Sequence, residues 1–242
     1  MKKFSLAAVL VLLIVLVGCT KETPAECFDY EIEGNHIIIT GLVKTDLEKI
    51  VIPERIKGSF VTEIAEDAFR KCTNLISVTI PDSVTKIDED AFEDCTGLVE
   101  VIIPDSVKEI GESAFSGCTS LTSVTIPDSV KVIDYRAFAD CTSLTNVTIP
   151  DSVTDMWGCV FEGCTSLKNI TLSESLEYIT EDAFNGCTSL TSVTIPDSVT
   201  EISWRAFAGC TSLENITIPD SVEYIASDAF EGTGVILPEK FK

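Results

Sequence analysis

The chain has 242 residues, of which 45% are hydrophobic, and it carries 39 acidic against 17 basic side chains. The formal net charge of −22 argues against binding to nucleic acid, and against contact of the protein surface itself with anionic lipid headgroups. The acidity instead favours neutral or basic partners.

The first 18 residues have the composition of a secretory signal. Two lysines precede an unbroken apolar run over residues 6–17, and Gly18 and Cys19 follow. The run is too short for a comfortable membrane span, so we predict that the chain is exported and that residues 1–18 form a signal peptide.

The four residues 16–19, Leu-Val-Gly-Cys, resemble the bacterial lipobox. The resemblance implies that Cys19 is lipidated and becomes the mature N-terminus, with residues 19–26 as the lipidated cysteine and a polar tether. The acyl chains would then be the sole membrane contact. We therefore predict an exported bacterial lipoprotein, anchored at the cell surface or outer envelope. A plain signal peptide that ends in Cys is the alternative.

A unit of 23 residues recurs from Pro81 towards the C-terminus, and its cleanest copy spans residues 104–126. Three apolar residue types return once per unit, namely Phe69, Phe92, Phe115, Phe138, Phe161, Phe184, Phe207 and Phe230; Cys72, Cys95, Cys118, Cys141, Cys164, Cys187 and Cys210; and Leu75, Leu98, Leu121, Leu144, Leu167, Leu190 and Leu213. A side chain that recurs once per turn stacks on its own copy in the next turn, and apolar stripes of this length must lie inside. The fixed period therefore predicts a solenoid.

Within each unit the pattern changes from strand to turn. Residues 121–126, Leu-Thr-Ser-Val-Thr-Ile, alternate apolar with small polar residues, which predicts a short strand. Strands of successive turns should pair in parallel, about 4.8 Å apart. The following Pro-Asp-Ser ends the strand, because Pro donates no hydrogen bond. Residues 90–95, around the repeated Phe, are predicted to form one helical or 3₁₀ turn.

The spacing Leu-x-x-Val-x-Ile, followed by a turn and a buried Phe, resembles the leucine-rich repeat, and more narrowly the BspA-like, treponemal class of these repeats. The positions of that class are filled in order by Cys118, Leu121, Val124, Ile126, Pro127, Val130, Ile133, Ala137 and Phe138. The resemblance implies an α/β fold over residues 53–242, a right-handed leucine-rich-repeat solenoid of about eight 23-residue turns. One parallel β-sheet would line its concave face, with short helical or 3₁₀ turns on the convex side.

Residues 27–52 resemble the β-hairpin that caps such domains, with apolar segments at 28–32 and 37–39 on either side of a Glu-Gly-Asn turn. A cap is needed there because the first turn would otherwise expose an apolar end. The family resemblance also implies a function, namely adhesion to host matrix proteins or to other cells.

The sequence contains no recognisable catalytic or metal-binding constellation. It has a single histidine, His36, no glycine-rich phosphate loop and no nucleophile elbow. We predict no enzymatic activity, no catalytic residue, no cofactor and no bound metal. A row of acidic residues at one repeat position is interpreted as turn capping, with a weak Ca²⁺ row as the alternative: Glu54, Asp82, Asp105, Asp128, Asp151, Glu174, Asp197 and Asp220.

The repeated cysteines are interpreted as buried free thiols. Neighbouring rungs would point their Cβ atoms the same way, which disfavours disulfides between them. Cys27 and Cys159 stand outside this ladder and are too far apart to pair. Because other units carry Asp, Ser or Arg at the position of Cys159, we expect this side chain to be exposed.

The units differ most at a few aromatic and basic positions. Tyr135 and Trp204 share one repeat position, Trp157 lies one place earlier in its own unit, and Arg136 and Arg205 follow the first two directly. Trp, Tyr and Arg are the residues most enriched in binding hot spots. We predict that these five residues form part of a protein- or glycan-binding patch. The alternative is that the aromatics pack over the convex turns with Arg stacked on them.

Together these features predict a lipid-anchored cell-surface binding protein, an adhesion or protein–protein interaction module without catalysis. Its partner would be an extracellular or host protein or a glycan. A structural envelope protein that assembles with itself through its C-terminal end is the alternative.

Overall fold

The computed structural model describes residues 21–241, so the predicted signal segment and Cys19 lie outside the described residues. In chain order the strands are β1 (Phe28–Glu33), β2 (His36–Leu42), β3 (Lys49–Val51), β4 (Arg55–Ile56), β5 (Ser59–Ile64), β6 (Ser77–Thr79), β7 (Lys86–Ile87), β8 (Glu100–Ile102), β9 (Glu109–Ile110), β10 (Ser123–Thr125), β11 (Val132–Ile133), β12 (Asn146–Thr148), β13 (Asp155–Met156), β14 (Asn169–Thr171), β15 (Tyr178–Ile179), β16 (Ser192–Thr194), β17 (Glu201–Ile202), β18 (Asn215–Thr217) and β19 (Tyr224–Ile225). Two 3₁₀ helices, Ala25–Cys27 and Glu239–Phe241, lie near the two ends of this part of the chain.

An antiparallel hairpin covers the first turn of the solenoid. Strands β1 and β2 pair antiparallel, and β2 then pairs in parallel with β5. The hairpin buries Phe28, Ile37 and Ile39 against the repeats. Thr23 and Val51 exchange two hydrogen bonds of 2.9 Å, so the segment before the hairpin is attached to strand β3.

Each turn of the solenoid contributes two short strands, and each set forms a ladder of parallel strands. The three-residue strands make the first ladder, namely β3, β6, β8, β10, β12, β14, β16 and β18. The two-residue strands make the second ladder, namely β7, β9, β11, β13, β15, β17 and β19. From β6 onwards a paired residue lies 23 positions from its partner in both ladders, as Ser123 does from Glu100 and Val132 from Glu109, whereas β3 and β6 pair residues 28 positions apart. The predicted solenoid of about eight 23-residue turns is confirmed.

The segment around each buried Phe forms tight turns, so the prediction of helical or 3₁₀ turns on this side needs correction. In residues 21–241, 3₁₀ helix occurs only in the two terminal segments. The amides of Asp90, Phe92 and Asp94 donate to carbonyls of the next repeat at 2.8–2.9 Å, so they are not free for a helix. Asp90 and Asp94 also adopt φ values of 54° and 56°, in the left-handed region that interrupts a helix.

The expectation of one sheet is corrected as well, since the second ladder had not been predicted. Its strands are two residues long, which is too short for a visible alternation of apolar and polar residues. The handedness of the solenoid and the concave position of the first ladder stay predictions.

The core is a set of stacked identical side chains. The eight repeated Phe rings lie nearly parallel, with neighbouring centroids 5.0–5.8 Å apart. From Cys95 onwards, each repeated cysteine donates its thiol to the backbone oxygen of the Phe in the preceding turn, at 3.0–3.2 Å. The interpretation of the ladder cysteines as buried free thiols is confirmed.

Both ladders are interrupted at the same place, between the repeat at 150–172 and the repeat at 173–195. Within the described residues, β13 does not pair with β15 and β14 does not pair with β16. On the Phe side the two repeats stay joined, because Cys159 and Phe161 each donate to the next repeat at 2.9 Å. The Phe161–Phe184 spacing of 5.8 Å is the widest in the stack. We call this place the junction: the ladder pairs are missing there, whereas the backbone hydrogen bonds on the Phe side continue.

Candidate binding surface

Exposed aromatic side chains gather on one part of the second ladder. Four of the five aromatic residues that are clearly exposed within residues 21–241 lie on its strands or within two residues after them: Trp157 at 57%, Tyr178 at 48%, Trp204 at 64% and Tyr224 at 49%. In each two-residue strand the second residue points inwards, and Ile179 and Ile202 are fully buried. The neighbours of these inward residues therefore point to solvent. The last four repeats thus present an aromatic face, defined by these four residues.

The structure separates the five predicted patch residues into two groups. Trp157 and Trp204 are exposed on the aromatic face, two repeats apart, whereas Tyr135 is partly buried one repeat before Trp157. Arg136 pairs with Glu162 at 2.5 Å and with Asp140 at 3.1 Å. Within residues 21–241, neither Arg136 nor Arg205 stacks on an aromatic ring of the predicted patch.

Arg136 and Arg205 form ion pairs that join neighbouring repeats. Arg205 pairs with Asp182 of the preceding repeat at 2.7 Å, and this hydrogen bond is the main reason that its pKa is raised. Burial lowers the pKa of Arg136, but the carboxylates of Glu162 and Asp140, with Cys159 and the hydrogen bond to Glu162, together raise it by more. Arg136 and Arg205 also occupy left-handed positions, with φ of 56° and 51°. Their charges are therefore already matched by carboxylates of the same solenoid.

Cys159 is buried, so the expectation that it would be exposed was wrong. Its side chain is only 5% exposed and contacts the Tyr135 hydroxyl at 3.4 Å. This contact is the largest cause of the raised pKa of Tyr135. Cys159 has φ of 58° and occupies a turn position at which Ser113 and Asp182 are also buried. That turn position faces the neighbouring repeat. Its usual residues are polar, so the sequence did not indicate that a side chain there would be buried. Cys27 and Cys159 are both free thiols.

A groove opens on the aromatic face at the junction. It has a volume of about 310 Å³. Its lining comprises Thr154, Asp155, Met156, Trp157, Gly158, Leu176, Tyr178, Thr180 and Glu181. No backbone hydrogen bond of the described chain joins residues 154–158 to residues 176–180, where regular repeats form them. The link that remains is a side-chain hydrogen bond of 2.8 Å from Thr180 Oγ1 to the carbonyl of Trp157. We call this feature the junction groove.

The interior residues at the junction differ in shape from those at the same positions of other repeats. Met156 replaces the Ile of other repeats, Leu172 replaces another Ile, and Leu176 replaces Val. β-Branched residues are stiff at χ1, whereas Leu and Met are not branched at Cβ and direct their side-chain atoms differently. Ser173, which replaces the usual Pro, is fully buried and donates to Val153 O at 2.7 Å. The sequence irregularities therefore coincide with the missing ladder pairs.

The open side of the groove combines rings and carboxylates. Trp157 and Tyr178 line it from neighbouring repeats, together with the exposed Asp155 and Glu181. A Cβ atom on Gly158 would lie 3.1 Å from Glu181 Oε1, so the absence of a side chain there gives Glu181 its place. Tyr178 donates its hydroxyl to Glu177 at 2.8 Å. The sequence analysis missed Tyr178, Tyr224 and Glu181, although the repeated Glu-Tyr-Ile places an outward Tyr beside an inward Ile.

Residues 21–241 contain no helix with the length and hydrophobicity needed to cross a bilayer. In the same residues no group of three or more His, Cys, Asp or Glu side chains is arranged to hold a metal ion.

Comparison with known proteins agrees with the repeat architecture. A model of the BspA type leucine rich repeat region, in six copies, matches residues 42–164 and 131–237. Comparison with curated proteins gave no match. Proteins with such repeats are typically non-catalytic scaffolds, and their architecture suggests a protein-interaction or surface module.

Solved structures of bacterial proteins have the same fold. A leucine-rich repeat protein from Bacteroides ovatus has a TM-score of 0.82 and 32% identity, over 92% of this chain and 60% of its own. A leucine-rich repeat protein from T. pallidum has a TM-score of 0.66 and 32% identity, over 85% of this chain and 86% of its own. The chain thus spans 60% of the length of the B. ovatus protein. The predicted resemblance is confirmed, and the chain belongs to the BspA-type leucine-rich repeat family.

Proposed function

We propose that this chain is an exported, lipid-anchored binding module that holds an extracellular or host protein or glycan on its aromatic face, without catalysis. The observation that carries the proposal is the gathering of Trp157, Tyr178, Trp204 and Tyr224 on one side of four consecutive repeats. Solvated rings in such a group are costly unless a partner covers them, and Trp and Tyr dominate binding hot spots.

The acidic character supports a neutral or basic partner. With a net charge of −22, the surface repels other acidic proteins and nucleic acids at long range. Each repeat contacts only its neighbours, so the side of the solenoid is a long, preformed surface that needs no ordering on binding. These properties suit an adhesion or protein-interaction module.

Binding is tested with the full chain, purified in detergent, on immobilised matrix proteins and glycans. We expect a saturable signal that falls at least tenfold in the Trp157→Ala, Trp204→Ala double variant. The matched control is Ile102→Ala, which removes an apolar side chain that is 62% exposed on the first ladder. Unchanged affinity in a folded double variant would rule out the aromatic face.

The lipid anchor is tested in the exporting cell. We expect the wild-type chain in the membrane fraction and a Cys19→Ala variant released or left unprocessed. Equal membrane retention of both would contradict lipidation of Cys19. Sedimentation of the purified chain at several concentrations distinguishes a monomeric receptor from the self-assembling envelope protein.

A further inference from the structure

We propose that the junction groove is a receptor site for one cationic side chain, a lysine or arginine of the protein partner, held between the rings of Trp157 and Tyr178 with Asp155 and Glu181 as counter-ions. This inference rests on the proposed function and specifies the chemistry of its partner. It is carried by the coincidence of an open cavity, two exposed rings and two carboxylates at one interruption of both ladders.

The size of the groove fits a side chain better than a large ligand. Its volume of about 310 Å³ lies at the lower end of the range for small-molecule sites. A lysine or arginine on an extended segment reaches into such a groove while its backbone stays on the solenoid surface. The aliphatic stem of the side chain would contact the rings, and the charged head would meet the carboxylates.

The rings favour a cation. The face of an indole attracts an ammonium or guanidinium group more strongly than other side-chain rings, and tyrosine follows. Trp157 and Tyr178 come from neighbouring repeats, so both border the same cavity. By contrast, Trp204 and Tyr224 lie where β17 and β19 are paired. Those two rings extend the surface, while the first two line a groove.

The carboxylates of the groove have no cation of their own. Within residues 21–241, no lysine or arginine forms an ion pair with Asp155 or Glu181. Arg136 and Arg205, which occupy the adjacent turn positions in nearby repeats, are engaged by Glu162, Asp140 and Asp182. A basic side chain from a partner would therefore supply a charge that the solenoid lacks here.

The residues that line the groove are positioned before any partner binds. Thr180 Oγ1 donates a hydrogen bond of 2.8 Å to the carbonyl of Trp157 in the preceding repeat. Glu181 packs against Gly158, and the Cβ atom of any other residue at position 158 would lie 3.1 Å from Glu181 Oε1. Such preorganisation lowers the ordering cost of binding.

The test uses Trp157 fluorescence, because the chain has only two tryptophans. In the full-length Trp204→Phe variant, Trp157 is the single reporter, and the probes are hexalysine, hexaglutamate and maltohexaose. We expect hexalysine alone to change the Trp157 emission, with saturation. A response to maltohexaose and none to hexalysine would overturn the proposal in favour of a glycan site.

Long-range attraction is separated from the site by a charge-matched control. The variant Asp155→Asn, Glu181→Gln and the control Asp105→Asn, Asp128→Asn both remove two exposed carboxylates. We expect hexalysine affinity to fall at least tenfold in the first and less than twofold in the second. Equal losses in both would show general electrostatic attraction and overturn the proposal. The variant Gly158→Ala, which displaces Glu181 without a change in charge, should weaken binding about threefold.

The outcome also distinguishes this inference from the proposed function. If a matrix protein binds through Trp157 and Trp204 but hexalysine leaves the emission unchanged, the binding module stands and the cation site is wrong. If hexalysine binds at the groove and the matrix panel is blank, the site stands and the adhesion proposal fails.

Discussion

The repeats at 104–149 and the repeats on either side of the junction have the same plan and different consequences. In the former, Val and Ile stack on identical neighbours, and the first ladder continues through β10 and β12 and the second through β9 and β11. At the junction, Met156, Leu172 and Leu176 replace β-branched residues, and both ladders stop. Repetition therefore produces continuous ladders, whereas a few altered interior residues coincide with an interruption of both ladders.

The largest expected difference between the two regions is in core stability. Phe138 is fully buried between Phe115 and Phe161, at centroid distances of 5.4 and 5.6 Å. We expect Phe138→Ala to lower the free energy of unfolding by about 3–5 kcal/mol, because a cavity interrupts the stack. Trp157→Ala, on the exposed side of the junction, should change it by only about 0.5 kcal/mol. Urea unfolding measures both, and similar losses would contradict the assignment of Trp157 to binding.

The cysteine ladder predicts loss of stability in alkali. Burial raises the pKa of Cys118 to about 12, and that of Cys210 to about 12. In the unfolded chain a thiol titrates near pH 8.5, so above that pH the unfolded state releases protons that the folded state retains. The stabilisation is therefore complete below about pH 8.5 and is lost as the pH rises towards 12.

The size of this effect is at most about 1.4 kcal/mol per pH unit for each ladder thiol. We expect the slope of unfolding free energy against pH, between pH 9 and 10.5, to be shallower by up to that amount in Cys118→Ala. Comparing slopes removes the fixed cost of the substitution itself. Identical slopes would show that the thiol at 118 ionises as readily in the folded chain as in the unfolded one.

Restoring the regular interior should close the junction. In a Met156→Ile, Leu172→Ile, Leu176→Val variant we expect new backbone hydrogen bonds between β13 and β15. Net gains of about 1 kcal/mol correspond to roughly fivefold slower hydrogen exchange at the amides of residues 177 and 180. The same variant should lose the fluorescence response to hexalysine. Unchanged exchange would mean that residues other than these three keep the ladders apart.

A small effect is expected from the side-chain hydrogen bond that Thr180 makes across the junction. Thr180→Val removes the donor to Trp157 O and should cost about 1 kcal/mol. Thr200→Val is the control, because the Glu177 carbonyl that Thr200 Oγ1 contacts at 3.3 Å also accepts the Thr200 amide at 2.9 Å. Thermal unfolding compares the two, and a larger loss at position 200 would contradict the role of Thr180.

Much of the fold was predictable from periodicity, because a buried position in a solenoid returns at a fixed interval. The Phe, Cys and Leu ladders and the first-ladder strands follow directly from that interval. The second ladder could not be predicted in this way, because two-residue strands such as Lys86–Ile87 are too short to show an alternation of apolar and polar residues. The tight turns were mistaken for helical turns because their amides bond to the next repeat, a partner 22 residues away in the chain.

The candidate site was predictable only in part. Trp157 and Trp204 stand out because, apart from Tyr135, the residues at their repeat positions are polar or small. The groove beside Trp157 depends on hydrogen bonds that two repeats fail to make, and no single repeat contains that information. Arg136 and Arg205 looked like binding residues, but their partners Glu162 and Asp182 belong to adjacent repeats and were not apparent from local sequence.

At the junction the Phe161–Phe184 stack and the turn hydrogen bonds continue while both ladders stop. The two repeats are therefore joined there by the Phe-side turns and by hydrogen bonds from Ser173, Ser175 and Thr180, but by no ladder bond. Bending that widens or narrows the strand side needs to break no ladder bonds at this point, although it would break them elsewhere. We expect bending of the solenoid to concentrate at the junction. A partner bound across the junction would then set the angle between the repeats before it and the repeats after it.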